Sequence, residues 1–161
     1  MIQRKTQQDA TGCGLACVAM LGGIGYAQAR GLARRLGIGP RERVLGRGGQ
    51  ARTVRNAYFS DAGQLRRMLG LLGLQTGPER RLARWDALDR GGIAGIRYNR
   101  REDSWHWVVY LHGDDGGWVL DPNPRVRSER RTDFGRMKPH CFIPVACVRG
   151  PDPGLSRSEP V

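Results

Sequence analysis

The stretch QQDATGCGLACVAML at residues 7–21 governs the reading of this chain. Its second half, GLACVAML at 14–21, is an apolar run of small residues and good helix formers. It is too long and too weakly alternating for a half-exposed strand, so it predicts a largely buried helix starting near Cys13. A cysteine in the first turn of such a helix, directly after Gly12, stands where free N–H groups and the helix macrodipole stabilise a thiolate. That is a place to build a nucleophile. Gln7 lies six residues earlier. From there its side-chain amide is within reach of an oxyanion formed on a carbonyl attacked by the sulfur, together with the Cys13 backbone N–H. Taken singly, a buried cysteine is more often inert packing, and a glutamine is more often solvated.

Working outward, YAQARGLARRL at 26–36 predicts a second, amphipathic helix closed by Gly37 and followed by Pro40. Residues 37–59, GIGPRERVLGRGGQARTVRNAYF, lose all periodicity and read as a long basic loop. Order returns at Ser60 and Asp61, which can cap a helix carrying Leu65, Met68, Leu69 and Leu72 and stopped by Gly73. A short helical turn is expected at 82–88, and GGIAGIRY at 91–98 reads as the first strand. HCFIPVACV at 140–148 is the last strand, interrupted by Pro144, and 150–161 reads as a flexible C-terminal tail. The expected organisation is therefore a single α+β domain over 1–149, with an N-terminal helical part packed against an antiparallel sheet.

The strongest local signal lies between these strands. WHWVVYL at 105–111 and GWVLD at 117–121 flank the turn sequence HGDDGG and predict a hairpin. With the turn centred on Asp114 and Asp115, Val108 falls nearly opposite Asp121, and His106 points to the same face as Val108 because strand side chains alternate. His106 and Asp121 are then diagonal neighbours. A carboxylate there can orient the imidazole through one ring nitrogen while the other faces the Cys13 sulfur, as a thiol nucleophile requires. Individually, His106 also reads as a strand-end histidine satisfied by backbone, and Asp121 as a turn residue before Pro122.

Taken together, these residues resemble the C39-like cysteine peptidases, a papain-like family. The family pattern has a Gln six residues before a Cys-Gly-hydrophobic-Ala-Cys run, then a His beginning an apolar strand and an Asp-Pro ending the next. Gln7, Cys13, His106 in HWVVYL and Asp121 in LDP occupy those positions. SDAGQLRRMLGLLGLQT is similar to the family's second helix, so the resemblance spans roughly residues 5–135. It implies a papain-like fold, Cys13 as nucleophile, His106 as base and acid, Asp121 as orienting carboxylate and Gln7 as oxyanion donor. It also implies hydrolysis of a peptide bond, in many members removal of a leader peptide after a double glycine. The alternatives are a peptide-binding domain of the same fold without catalysis, or a deamidase or acyltransferase using the same triad as an effector toxin.

Composition bounds the rest. The chain has 161 residues, 27 Lys plus Arg against 15 Asp plus Glu and a net charge of +12, and only Lys5 and Lys138 are lysines. Mean hydropathy is -0.51, and no window approaches the roughly 18 consecutive apolar residues of a spanning helix. Residues 1–14 lack the apolar core of a secretory signal, so a cytoplasmic location is expected. The length fits one core and no transporter module, leaving association with a membrane surface or a transporter open. Nucleic acid is not an obligatory partner: the Arg-rich 37–59 segment carries aromatics only at Tyr58 and Phe59. Arg41, Arg43, Arg47, Arg52 and Arg55 point instead to an acidic peptide or protein steered towards the cleft. No cofactor is implied. Cys17, one turn after Cys13, reads as core. A zinc site from Cys13, Cys17, His140 and Cys141 lacks the spacing of paired metal knuckles, so no metal is expected. His112 reads as exposed, and His140 is a weaker rival for the base.

Overall fold

The computed structural model describes residues 1–146. The end of the predicted last strand and the predicted 150–161 tail lie outside the described residues.

Three helices form one layer. Helix α1, Cys13–Gly22, is buried at every position from Gly14 to Leu21, as expected of a helix apolar on all sides. Helix α2, Tyr26–Arg35, buries Tyr26, Ala29, Leu32 and Ala33 on one stripe and presents Arg34 and Arg35 to solvent. Helix α3, Ala62–Leu71, starts with a capping box. Asp61 accepts the Gln64 N–H, the Gln64 side chain returns to the Asp61 N–H, and Leu65, Met68 and Leu69 face the core.

Between α2 and α3 the chain forms a β-hairpin where a loop is expected. Strand β1, Arg41–Leu45, pairs antiparallel with β2, Arg52–Ala57. The two strands bury only Leu45 and Ala57 completely, so the alternation that reveals a strand is missing from their sequences. The segment at 91–98, expected as the first strand, is accordingly the fourth.

The second layer is a five-stranded antiparallel sheet. Its strands are β3 (Arg80–Arg81), β4 (Gly92–Asn99), β5 (Ser104–Gly113), β6 (Gly116–Leu120) and β7 (Pro139–Pro144), in the order β3-β7-β4-β5-β6. A two-residue turn at Asp114 and Asp115 joins β5 to β6, and Gly116 takes the positive φ of 107° that this tight turn demands. Val109 pairs with Leu120, the register in which Val108 would oppose Asp121.

Both faces of the sheet are apolar. Ile93, Trp107, Val109, Leu111 and Ile143 pack against the helices. On the far face Ala94, Ile96, Val108, Tyr110 and Phe142 are covered by Leu82, Leu88, Met137 and the rings of Trp85 and Phe134. Trp85 belongs to a short helical turn, Trp85–Ala87, within the segment where one is expected. Among the described residues, no helix is long and apolar enough to cross a membrane.

Candidate active site

Cys13 opens α1 at the seam between the layers, and two glycines place it there. A Cβ at Gly12 would fall 1.9 Å from the Tyr26 hydroxyl, and one at Gly14 would fall 2.2 Å from Ser60 Oγ and 3.2 Å from the Trp107 ring. Only glycine therefore lets α2 and the Phe59–Ser60 segment close on the helix start. The preceding loop is pinned as well. Asp9 accepts the Tyr26 hydroxyl at 2.7 Å and Arg30 at 3.3 Å, and Thr11 Oγ1 accepts the Tyr58 N–H at 2.7 Å. No side chain caps α1, so its first-turn N–H groups have neither an intrahelical nor a side-chain acceptor.

His106 stands on β5 beyond the end of the β5–β6 ladder, so its ring lies at the rim of the sheet. Nε2 is 2.7 Å from Asp121 Oδ1, and Cys13 is near enough to the ring to raise its pKa. Burial opposes a charge on this imidazole, but the bond to Asp121 and the neighbouring Cys13 outweigh it, and its pKa is pushed up to about 9. Asp121 is 1% exposed. Burial alone would raise its pKa, but the bonds from His106, the Asn123 N–H and Arg131 hold it at about 2.

Arg131 is the member of this network that the sequence does not reveal. Its Nη1 donates to Asp121 Oδ2 at 2.7 Å, so both carboxylate oxygens are held: one by His106 and the Asn123 N–H, the other by the guanidinium. Nε and Nη2 grip Asp133 at 3.0 and 2.8 Å, and the Arg131 backbone exchanges two hydrogen bonds with Val119 on β6. The side chain is 7% exposed. Arg131 lies in a run of arginines without strand periodicity. The one usable signal was that a buried Asp121 must have a second partner.

Gln7 is tied to the same region by its N–H, which donates to the Pro122 carbonyl at 2.9 Å. It borders a groove with His106, Asn123 and Arg125. Both donors of its side-chain amide are engaged, by the carbonyls of Asp9 at 3.1 Å and Ala10 at 2.9 Å, and Oε1 is buried without a partner. The structure thus brings Cys13, His106 and Asp121 together, with Gln7 beside them and its donors turned to the loop.

The other candidates fall elsewhere. Cys17 is fully buried, and that burial raises its thiol pKa well above the ordinary range. Cys141 is likewise buried in β7, with its pKa pushed up to about 12. Among the described residues no group of three or more His, Cys, Asp or Glu side chains is placed to hold a metal ion. His112 is exposed and bonds to the Tyr110 hydroxyl, and His140 stacks on Tyr98 at 4.2 Å. Trp107 is core, its indole N–H donating to the Ser60 carbonyl at 2.8 Å. Trp105 borders a second groove, of about 260 Å³, next to Cys13.

No family model matches the chain, and no curated protein does. Among solved structures, it is similar to a double glycine motif protease from an AMS/PCAT transporter, determined in complex with the leader peptide. Identity is 16%, the TM-score is 0.52, and the match covers 90% of this chain and 98% of that one. The two share a fold. The chain therefore has the mixed helical and antiparallel-sheet architecture of a double glycine protease domain over nearly its whole length.

Proposed function

We propose that this chain is a C39-like, papain-fold cysteine peptidase that hydrolyses a peptide bond, with Cys13, His106, Asp121 and Gln7 as its working residues and no cofactor. The His106 ring bound to a doubly held Asp121, with Cys13 near enough to act on that ring, carries this reading. A raised imidazole pKa beside the sulfur favours the ion-paired state in which the thiol proton rests on the ring.

The reaction follows from those positions. The Cys13 sulfur attacks the substrate carbonyl carbon, forming a C–S bond and moving the carbonyl π electrons onto oxygen. The Cys13 N–H at the uncapped start of α1 meets that oxyanion. Gln7 adds a second donor when one of its amide hydrogens leaves the Asp9 or Ala10 carbonyl. His106 delivers its proton to the leaving nitrogen as the C–N bond breaks, leaving a thioester on Cys13 and a neutral imidazole. Water then gives a proton to His106 as its oxygen attacks the thioester carbon, and the C–S bond breaks, releasing the carboxylic acid product and returning the thiolate beside the protonated ring. Asp121 fixes the ring throughout, and Arg131 fixes Asp121. The solved neighbour was determined with a leader peptide, so a peptide, with a double-glycine leader among the candidates, is the proposed substrate class.

The test is the rate of Cys13 alkylation by iodoacetamide across pH 5–9, followed by mass spectrometry. Faster modification than free cysteine at neutral pH, slowed at least about tenfold by His106→Ala, is the expected result. A rate no greater than free cysteine's and unchanged by that substitution refutes the assignment.

A further inference from the structure

The groove beside Cys13 is bordered on its far side by the β1–β2 hairpin, and its charges are not distributed as the sequence suggests. Of the hairpin's arginines, Arg52 is bound to Glu102 at 2.7 and 3.1 Å, and Arg55 lies 3.8 Å from Glu42. Their charges are already answered. Arg41 and Arg43 line the groove itself, and among the described residues neither has a carboxylate within ion-pair distance.

Both are ordered by Phe59. Arg41 Nη2 donates to the Phe59 carbonyl at 3.0 Å, and the Arg43 guanidinium lies over the Phe59 ring at 4.7 Å. The stacking costs Arg43 none of its N–H donors, and Arg41 keeps most of its own. A guanidinium held in place but unpaired is prepared to bind a carboxylate in a bidentate fashion. Asp61 and Asp103 also border the groove, each accepting a neutral donor, the Gln64 N–H at 2.8 Å and the Tyr98 hydroxyl at 2.8 Å, and neither pairs with Arg41 or Arg43. The hairpin is tied to the β4–β5 turn by the Arg52–Glu102 pair and by Arg101 donating to Gln50 at 3.1 Å.

The mechanism indicates which part of the substrate reaches them. His106 protonates the leaving amine and borders the groove with Gln7 and Arg125, so the departing part lies there. The acyl part remains with Cys13 in the groove of Arg41, Arg43, Phe59 and Trp105. We infer that this groove selects an acidic side chain among the residues just before the scissile bond, held by Arg41 and Arg43. The inference rests on the peptidase reading above and names the substrate class of that same site.

Tripeptidyl acyloxymethyl ketones carrying one glutamate at each position in turn, each paired with its glutamine counterpart, provide the probe. The Cys13 sulfur displaces the carboxylate to form a thioether, and the rate is read by intact mass. At one position or more, the glutamate probe should react at least about tenfold faster. Arg41→Gln with Arg43→Gln should reduce that ratio to within about twofold, whereas Arg52→Gln with Arg55→Gln should leave most of it. Labelling without a glutamate preference, or with one insensitive to Arg41 and Arg43, overturns the acidic pocket alone. Failure of every probe to label Cys13, with iodoacetamide modification also no faster than free cysteine, overturns the peptidase reading and the pocket with it.

Discussion

Replacing Arg131 with methionine removes the guanidinium while keeping much of its apolar stem. Three charge-assisted hydrogen bonds disappear, one to Asp121 Oδ2 at 2.7 Å and two to Asp133. The two to Asp133 contribute little, because that carboxylate is 43% exposed and solvates readily, as at a surface pair worth up to about 1 kcal/mol. The bond to Asp121 dominates. Stripping one partner from a buried ion pair costs about 3–5 kcal/mol in general, but here His106 and the Asn123 N–H still hold Oδ1. A loss of roughly 2–4 kcal/mol is expected, and for a chain of this size each kcal/mol lowers Tm by roughly 2–4 °C. Urea unfolding gives the first readout. The second is the NMR titration of the His106 ring, which a purely structural role would leave in place. Removing a neighbouring cation favours the protonated imidazole, so the midpoint should move above its value of about 9. Arg131→Lys, which keeps the cation, should retain more of both properties and serves if the methionine variant does not fold. A stability change below about 0.5 kcal/mol with an unmoved His106 titration would show that Arg131 does not support the site.

The His106 pKa is raised from 6.5 to about 9, so its contribution to stability is complete below pH 6.5 and is lost as pH rises through 9; Asp121, lowered from 3.8 to about 2, contributes fully above pH 3.8 and loses that contribution as pH falls towards 2. Unfolding free energy measured at intervals from pH 2 to 10 should show both declines, and Asp121→Asn should flatten both. Gly12→Ala should destabilise by about 1–3 kcal/mol, because the new methyl meets the Tyr26 hydroxyl at 1.9 Å. Cys13 alkylation should slow as well, and adding Tyr26→Phe should recover part of both losses; an alanine variant as stable and reactive as the parent would contradict this packing.

The sequence makes some of this arrangement legible because a local pattern forces it. An all-apolar 14–21 run has no stable place except a buried helix, and HGDDGG between two apolar strands sets a register that brings His106 and Asp121 to one face. The β1–β2 hairpin escapes notice for the opposite reason. Its strands are largely exposed on both sides, and Arg-rich composition replaces the hydrophobic alternation that identifies a strand. Arg131 is hidden because its burial depends on partners distant in kind from its neighbours: a backbone bridge to Val119 and the second oxygen of Asp121. The engagement of Gln7 by the Asp9 and Ala10 carbonyls is equally unreadable from spacing, since it depends on the turn taken by the loop. The charge follows the same logic. The five hairpin arginines look equivalent in sequence, and only the positions of Glu42 and Glu102 separate the paired from the unpaired.

The central claim is that Cys13 cleaves peptide bonds, and digestion of a proteome-derived peptide library tests it most directly. The intact chain and its Cys13→Ala variant are incubated in parallel, and new peptide termini are identified by mass spectrometry. New termini sharing a common sequence around the cut, produced by the parent and absent with Cys13→Ala, are the expected result. Identical terminus profiles for the two proteins would contradict it.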